Sequence, residues 1–360
     1  MTLLIIGNGF DLQCDLKSGY EDFFAWLRED KTRVKNNIWA IHFLDKTPLG
    51  KQWVDIEERL KEVLTQKTRL QCKNLEDKLG DYDFGTYNDT LINSWPKIAE
   101  HNFTYSPEHL NTALEEAQYI IEKHIASVGH PLKFDRNKID EYWFLEELSA
   151  FERQFAEYLK EQEKNTPQYL SKAKILLKKL LIKEAVSIIN FNYTNPFTYF
   201  RDLVRKTTNV HGTYSENNII LGVDNTVELQ GNLFVFSKTH RKMLQGTPDS
   251  SVLPKGVRKI KFYGHSLGQA DYSYFHSIFD YYNIYGDSVS NTTPPPILQF
   301  YFTIYCESKK NDIKRDAVRR VYKLIHTYEA KLGNKDAGKN LLHKLLLEGR
   351  IQIEFLGNLK

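Results

Sequence analysis

Four short stretches carry residues whose types and spacing could do chemistry. The first follows the apolar run Leu3 to Ile6, which stops at Gly7-Asn8-Gly9 and meets an acid, Asp11. Glycines let backbone turn tightly and approach a ligand, so their N–H groups can face a phosphate. Asp11 could then bond a ribose hydroxyl, or it could only cap a local turn. The dinucleotide fingerprint wants a third glycine where Leu12 stands, and no Walker loop is present.

The second stretch is Asn192-Tyr193-Thr194-Asn195, after the apolar run "VSII". Neutral amides and a hydroxyl suit sugar hydroxyls or an amide ligand. Thr194 or Asn195 before Pro196 would equally start a helix. The third is His211-Gly212. A histidine at a strand end titrates near neutral pH and can act as a general base, although a lone histidine is more often structural.

The fourth is Gly264-His265-Ser266-Leu267-Gly268, which satisfies G-x-S-x-G after a strand-like run. As a nucleophile elbow it would make Ser266 the nucleophile, with Asp280, Asp312 or Asp316 and His326 or His343 as downstream partners. Against that reading, no HGGG-type segment stands upstream. Gln269, Ala270 and Asp271 replace the small residues that usually open the elbow helix, and the other three stretches are left without roles.

These residues need elements to hold them. "LLII" is an apolar run, β-branched at its two isoleucines and ending in glycine, as in a buried parallel strand. Ser18 and Glu21 form a capping-box pattern ahead of Phe23, Phe24 and Leu27, which predicts a helix. From about Gln52 to Glu184 apolar residues recur at helical spacing, as in "WVDIEERLKEVLTQ", "LNTALEEAQYIIEKHIASV", "WFLEELSAFERQFAEYLKEQ" and "YLSKAKILLKKLLIKEA". Strand-like runs then return: "VSIINF", "TNVHG", "IILGV", "KIKFYGHSL", "ILQFYFTIY" and "RIQIEFL". The helical patterns "DAVRRVYKLIHTYEAKL" and "GKNLLHKLLL" separate the last of them. Strands alternating with helices predict an α/β fold with a mostly parallel sheet, Rossmann-like and flanked by helices, carrying a large helical insert. The expected division is a nucleotide-binding core of residues 1–50 and 183–360, with residues 51–182 as a helical insert or lobe.

Bulk properties narrow the classes. Lys and Arg outnumber Asp and Glu by 49 to 46, so nucleic acid is not indicated as a partner. The 21 Tyr and 21 Phe fit a core more readily than a base-stacking surface. Three cysteines without CxxC spacing, and no HExxH, predict neither a disulfide scaffold nor a metal site, and suit a reducing cytoplasm. No leader pattern opens the sequence. No apolar run reaches the ~20 residues that span a bilayer, so no membrane association is expected.

Taken in order, GNGFDL, SGYEDF, WVDIE (Trp53 to Glu57), NFNYT, VHG, IILG and YGHSLGQAD resemble the AbiH family of bacterial phage-defence proteins over nearly the whole chain. More distantly the series is similar to sirtuin-like NAD-binding domains, whose glycine turn GAG-I-S and segment S-G-I-P-D-F match Gly7 to Asp11 and Ser18 to Phe23. Their strand-end Asn matches Asn192, their functional His before Gly matches His211, and their late G-x-S-L matches Gly264 to Leu267. This sequence departs at Asn8, Asp11, Tyr20, Glu21 and Thr194, and nothing in it resembles the deacylase zinc module.

The resemblance implies abortive-infection defence with NAD as substrate or ligand and no metal. Asn192 and His211 would be catalytic in cleaving the nicotinamide–ribose bond. Gly7, Asn8, Gly9, Asp11, Thr194, Gly264, Ser266 and Asp271 would bind the nucleotide. A homo-oligomer, a defence partner protein or a phage-derived trigger could control the activity. The alternatives are a non-catalytic nucleotide-sensing module, or the serine hydrolase built on Ser266.

Overall fold

The computed structural model describes residues 1–30, 33, 37–45, 56–64, 141–181, 186–224, 231–246, 251–286, 294–332 and 340–358. The chain divides into two compact units. One comprises Met1–Phe23, Phe155–Ile220 and Lys242–Lys360; the other comprises Phe24–Gln154 and Leu221–Arg241.

The first unit is built on a six-stranded sheet. Its strands are β1 (Thr2–Ile6), β2 (Val186–Asn190), β3 (Val204–Asn209), β4 (Lys259–Tyr263), β5 (Ile297–Ile304) and β6 (Ile351–Gly357), in the order β3-β2-β1-β4-β5-β6. Every neighbouring pair is parallel. This is the doubly wound order of dinucleotide-binding domains, in which the chain reverses its direction of travel beside the first strand and opens a crevice at the strands' carboxyl ends. The α/β class and the parallel, Rossmann-like sheet read from the sequence are therefore what the chain forms.

β1 explains why both faces must be covered. Its side chains alternate between two cores. Leu3 and Ile5 pack with Phe262, Phe275, Phe279, Leu324 and Ile325. Leu4 and Ile6 pack with Phe10, Leu176, Leu177, Leu180 and Ile188. Helices Tyr272–Tyr281, Lys310–Glu329 and Leu341–Leu347 serve the first core, and helices Gly9–Gln13 and Tyr169–Leu180 the second. Each fully buried Leu or Ile contributes about 1.5–3 kcal/mol. Lys261 is buried in β4 because its amine donates to the carbonyl of Leu180, 2.7 Å away at the carboxyl end of a helix, where the dipole favours a cation.

The second unit has an aromatic core. Trp39, Phe43 and Phe144 are buried there, with ring contacts from Trp39 to Phe43, Phe144 and Phe236. Its segment Leu221–Arg241 is held by charge. Arg241 forms a two-pronged pair with Glu152, and Lys238 bonds Glu57 at 2.7 Å.

Several sequence expectations meet a different structure. "IILGV" joins no sheet, and only Val223 makes an isolated bridge, to Ser237. The Leu221 N–H instead donates to Glu152 at 2.6 Å and the Leu221 carbonyl accepts from Arg241 at 2.6 Å, so side chains take the place of a neighbouring strand. Helix Tyr169–Leu180, grouped above with the insert, packs its apolar stripe on the sheet. Residues 24–50 fall within the second unit. The helix after Ser18 forms at Tyr20–Glu29, but the Ser18 hydroxyl donates to Asn8 rather than serving in a capping box. Trp53 to Asp55 of "WVDIE" and the helix expected in "LNTALEEAQYIIEKHIASV" lie outside the described residues.

Candidate functional site

The loops leaving β1 and β4 are pressed together, backbone on backbone. Gly7 N–H donates to Tyr263 O at 3.0 Å, and Gly9 N–H donates to Gly264 O at 2.7 Å. Gly264 has φ +69°, and a Cβ added there would lie 2.4 Å from the Phe10 nitrogen. One on Gly9 would lie 2.8 Å from Gly264 Cα. Glycine is therefore required at both points of this crossing, for space at Gly9 and for space and a left-handed backbone at Gly264.

The crossing bears on the phosphate reading. The N–H groups of Gly7, Gly9 and Phe10 all have partners within the two loops. What reaches outward from the turn is Asn8, which is exposed, with its amide tied to Ser18. Recognition by this turn would thus run through side chains more than through the glycine amides.

Asp11 sits in helix Gly9–Gln13 and is buried. Its Oδ1 accepts from the Tyr169 hydroxyl at 2.7 Å, and its Oδ2 from the Thr194 hydroxyl at 2.7 Å. Burial away from water pushes its carboxyl up to about 6, opposed by these two hydrogen bonds. The Asn192 amide beside it lowers it too, although neither Asn192 Oδ1 nor Nδ2 reaches the geometry of a hydrogen bond.

That amide is only 4% exposed. Buried amides are nearly always bonded, since leaving one unpaired costs about 1–3 kcal/mol. The loop around it is otherwise well pinned. Asn190 Oδ1 accepts the Asn192 N–H at 3.1 Å, and Asn209 Nδ2 donates to the Asn192 carbonyl at 3.1 Å. Asn190 Nδ2 donates to the Thr194 carbonyl at 2.7 Å. The backbone is thus fixed while the side chain is left with capacity to bind.

His211 follows β3 and is 3% exposed. Its Nε2 lies 3.2 Å from Asp271 Oδ1, and His265 Nε2 lies 3.3 Å from Asp271 Oδ2. One carboxylate therefore stands between two imidazoles from different loops. Phe191 wedges against both rings, with centroids 5.4 Å from His211 and 4.8 Å from His265. Tyr193, half-buried beside His211, shares a hydrogen bond with Tyr20, hydroxyl to hydroxyl at 3.0 Å, and its carbonyl accepts the Tyr214 N–H at 2.8 Å.

The four stretches are thus joined at the carboxyl ends of the strands. Thr194 joins the β2 loop to the β1 loop through Asp11. Gly9 and Gly264 join the β1 and β4 loops, and Asp271 joins the β4 loop to His211. Ser266 lies on the same loop but is set apart from this network. Its carbonyl accepts from Arg320 at 3.4 Å, whereas its hydroxyl has no hydrogen bond to any histidine among the described residues. The left-handed residue is Leu267 (φ 54°) rather than Ser266, and the next helical turn starts only at Gln269. A nucleophile elbow places its strain on the serine and starts its helix at once. His326 instead faces Glu329 on its own helix.

Two participants escaped the sequence reading. Tyr169 lies in a pattern that reports only a helix with an apolar face. His265 occupies a variable position of G-x-S-x-G, although a second histidine just after a strand is a usable signal. Among the described residues no group of three or more His, Cys, Asp or Glu could hold a metal ion, and no helix is long and apolar enough to cross a membrane.

A family model described as bacteriophage abortive infection AbiH matches residues 3–289. That span contains all four loops and stops before β5. A search of curated proteins and a search of solved structures each returned no match.

Proposed function

We propose, from the premise that this chain belongs to the AbiH family of bacteriophage abortive-infection proteins, that it acts in phage defence by hydrolysing the nicotinamide–ribose bond of NAD in the cytoplasm. The observation that carries the reading is the Asn192 amide, buried and without a hydrogen-bond partner beside Asp11 at the sheet's switch point. A donor and an acceptor held in one plane suit a pair of ribose hydroxyls, or a carboxamide. The distant likeness to sirtuin-like domains, in which an Asn and a His act on NAD, supports the same choice.

The chemistry asks little of the protein. The nicotinamide nitrogen already carries positive charge, so the leaving group needs no acid. As the C1′–N bond breaks, its electron pair goes to that nitrogen and neutral nicotinamide departs. The ribose passes through an oxocarbenium-like state. Water adds to C1′ and gives its proton to His211, which releases it to solvent. The products are nicotinamide, ADP-ribose and one proton. Asn192 would orient the ribose, and Asp11, ionised or not near neutral pH, would hold a hydroxyl as donor or acceptor. Because Asn192 and His211 are closed from solvent, entry requires an opening of the surrounding segments. A trigger, an oligomer or a partner protein would act on that opening, since steady loss of NAD would harm the cell that makes the protein.

The experiment is incubation of the purified chain with NAD and chromatography for nicotinamide, alone and with lysate from phage-infected cells. His211→Ala and Asn192→Ala should abolish release while the protein stays folded. Release untouched by both substitutions refutes this site. Thermal stabilisation by NAD with no turnover in either condition would instead establish the nucleotide-sensing alternative.

A further inference from the structure

We infer that Asp271 is a positioning residue that fixes the tautomer of His211, and that His265 is the device that aims it. The inference rests on the proposed reaction for its purpose, but not for its geometry. It starts from an omission. Asp271 is the N-cap residue of helix Tyr272–Tyr281, and aspartate is among the best N-caps, worth about 1 kcal/mol there. Yet its side chain makes no cap hydrogen bond. The carboxylate turns instead to His211 Nε2 and His265 Nε2, one oxygen to each.

The protons follow from the acceptor pattern. His265 Nδ1 accepts the N–H of Leu267 at 2.9 Å, so that nitrogen carries a lone pair. The proton of that ring must therefore sit on Nε2, which faces Asp271 Oδ2 at 3.3 Å. The remaining oxygen, Oδ1, is thereby turned to His211 and is an acceptor only. His211 then also holds its proton on Nε2, which makes Nδ1 the basic nitrogen. Phe191 against both rings, Tyr274 against His211 and Phe275 against His265 prevent the rings from rotating out of this order. A carboxylate so placed also stabilises the imidazolium that forms when His211 takes a proton.

The test reads tautomers directly. Full-length protein labelled with 15N-histidine gives long-range proton–nitrogen spectra, with the two rings assigned by His211→Gln and His265→Gln. Both rings should be Nε2–H tautomers at pH 7.5. Asp271→Asn offers one acceptor and one donor in place of two acceptors, so the Nε2–H form of His211 should give way wholly or partly to Nδ1–H. An Nδ1–H signal from either ring in the unsubstituted protein overturns the inference, and so does a His211 spectrum unchanged in a folded Asp271→Asn variant. If that variant fails to fold, the unsubstituted spectrum alone decides. Where NAD is hydrolysed, Asp271→Asn should lower kcat at least about 100-fold with KM nearly constant. Absence of any hydrolysis would count against the proposed function and leave the tautomer result standing.

Discussion

Asp11→Asn tests the physical account of the site most sharply. Asp11 is buried, and its carboxyl titrates at about 6 where an ordinary aspartate has 3.8. The folded chain therefore binds this proton more tightly than the unfolded chain does. Its contribution to stability is full below about pH 3.8, declines as pH rises, and is lost once pH passes about 6. A shift of about two units corresponds to about 3 kcal/mol. Asparagine has the same shape and no charge to bury. Its oxygen can accept from Tyr169, and its amide nitrogen can donate to the Thr194 hydroxyl, which accepts as well as it donates. The variant should match the parent near pH 4 and exceed it by up to about 3 kcal/mol at pH 8, or about 4 °C in Tm for a chain of this length. Thermal unfolding of both proteins from pH 4 to pH 8 gives the difference directly, because other titrating groups cancel. Two parallel stability curves would refute the reasoning, since Asp11 would then carry no burial penalty.

Other substitutions follow from the same geometry. Tyr169→Phe removes the donor to Asp11 Oδ1 and should destabilise by about 1–3 kcal/mol, more at pH 8 than at pH 5, in the same unfolding series. Asn192→Ala should abolish NAD cleavage yet leave the protein about 1 kcal/mol more stable, because an unpaired buried amide is lost; a lower Tm would mean that the amide has a partner. Gly264→Ala meets a left-handed penalty of about 1–2 kcal/mol plus a clash with the Phe10 nitrogen, and unfolding should show a loss above about 2 kcal/mol. Glu152→Gln leaves Arg241 buried without its counter-charge and should cost about 3–5 kcal/mol, read by urea unfolding.

The sequence made the sheet legible where apolar runs end abruptly. β1, β2, β4, β5 and β6 all coincide with such runs, and the loops that follow β1, β2 and β4 hold the polar clusters noted from residue type alone. β3 was displaced. Val204–Asn209 is an edge strand with exposed and half-buried positions, so it carries little apolar signal and begins four residues before "TNVHG". Periodicity in helix Tyr169–Leu180 revealed an apolar stripe but not what covers it, which is why this helix was grouped with the insert. The partnership of Tyr169 with Asp11 was invisible for the same reason, being a contact across the fold rather than a pattern along it. Gly7 and Gly9 show the limit most clearly. A glycine announces close approach, and the sequence could not say that the approaching group was the chain's own β4 loop.

The central strand has an implication for how the protein comes into being. β1 precedes its partners in the chain, yet Ile6 lies between Asn190 on one side and Tyr263 on the other. At ~5–20 residues per second, β4 follows β1 out of the ribosome roughly 13–50 seconds later. Until then "LLII" has at most half of its eventual strand neighbours. Contacts so distant along the chain also make for slow closure. Any shortened product that stops before the β4 loop lacks His265, Asp271 and the backbone that locks Gly9 in place.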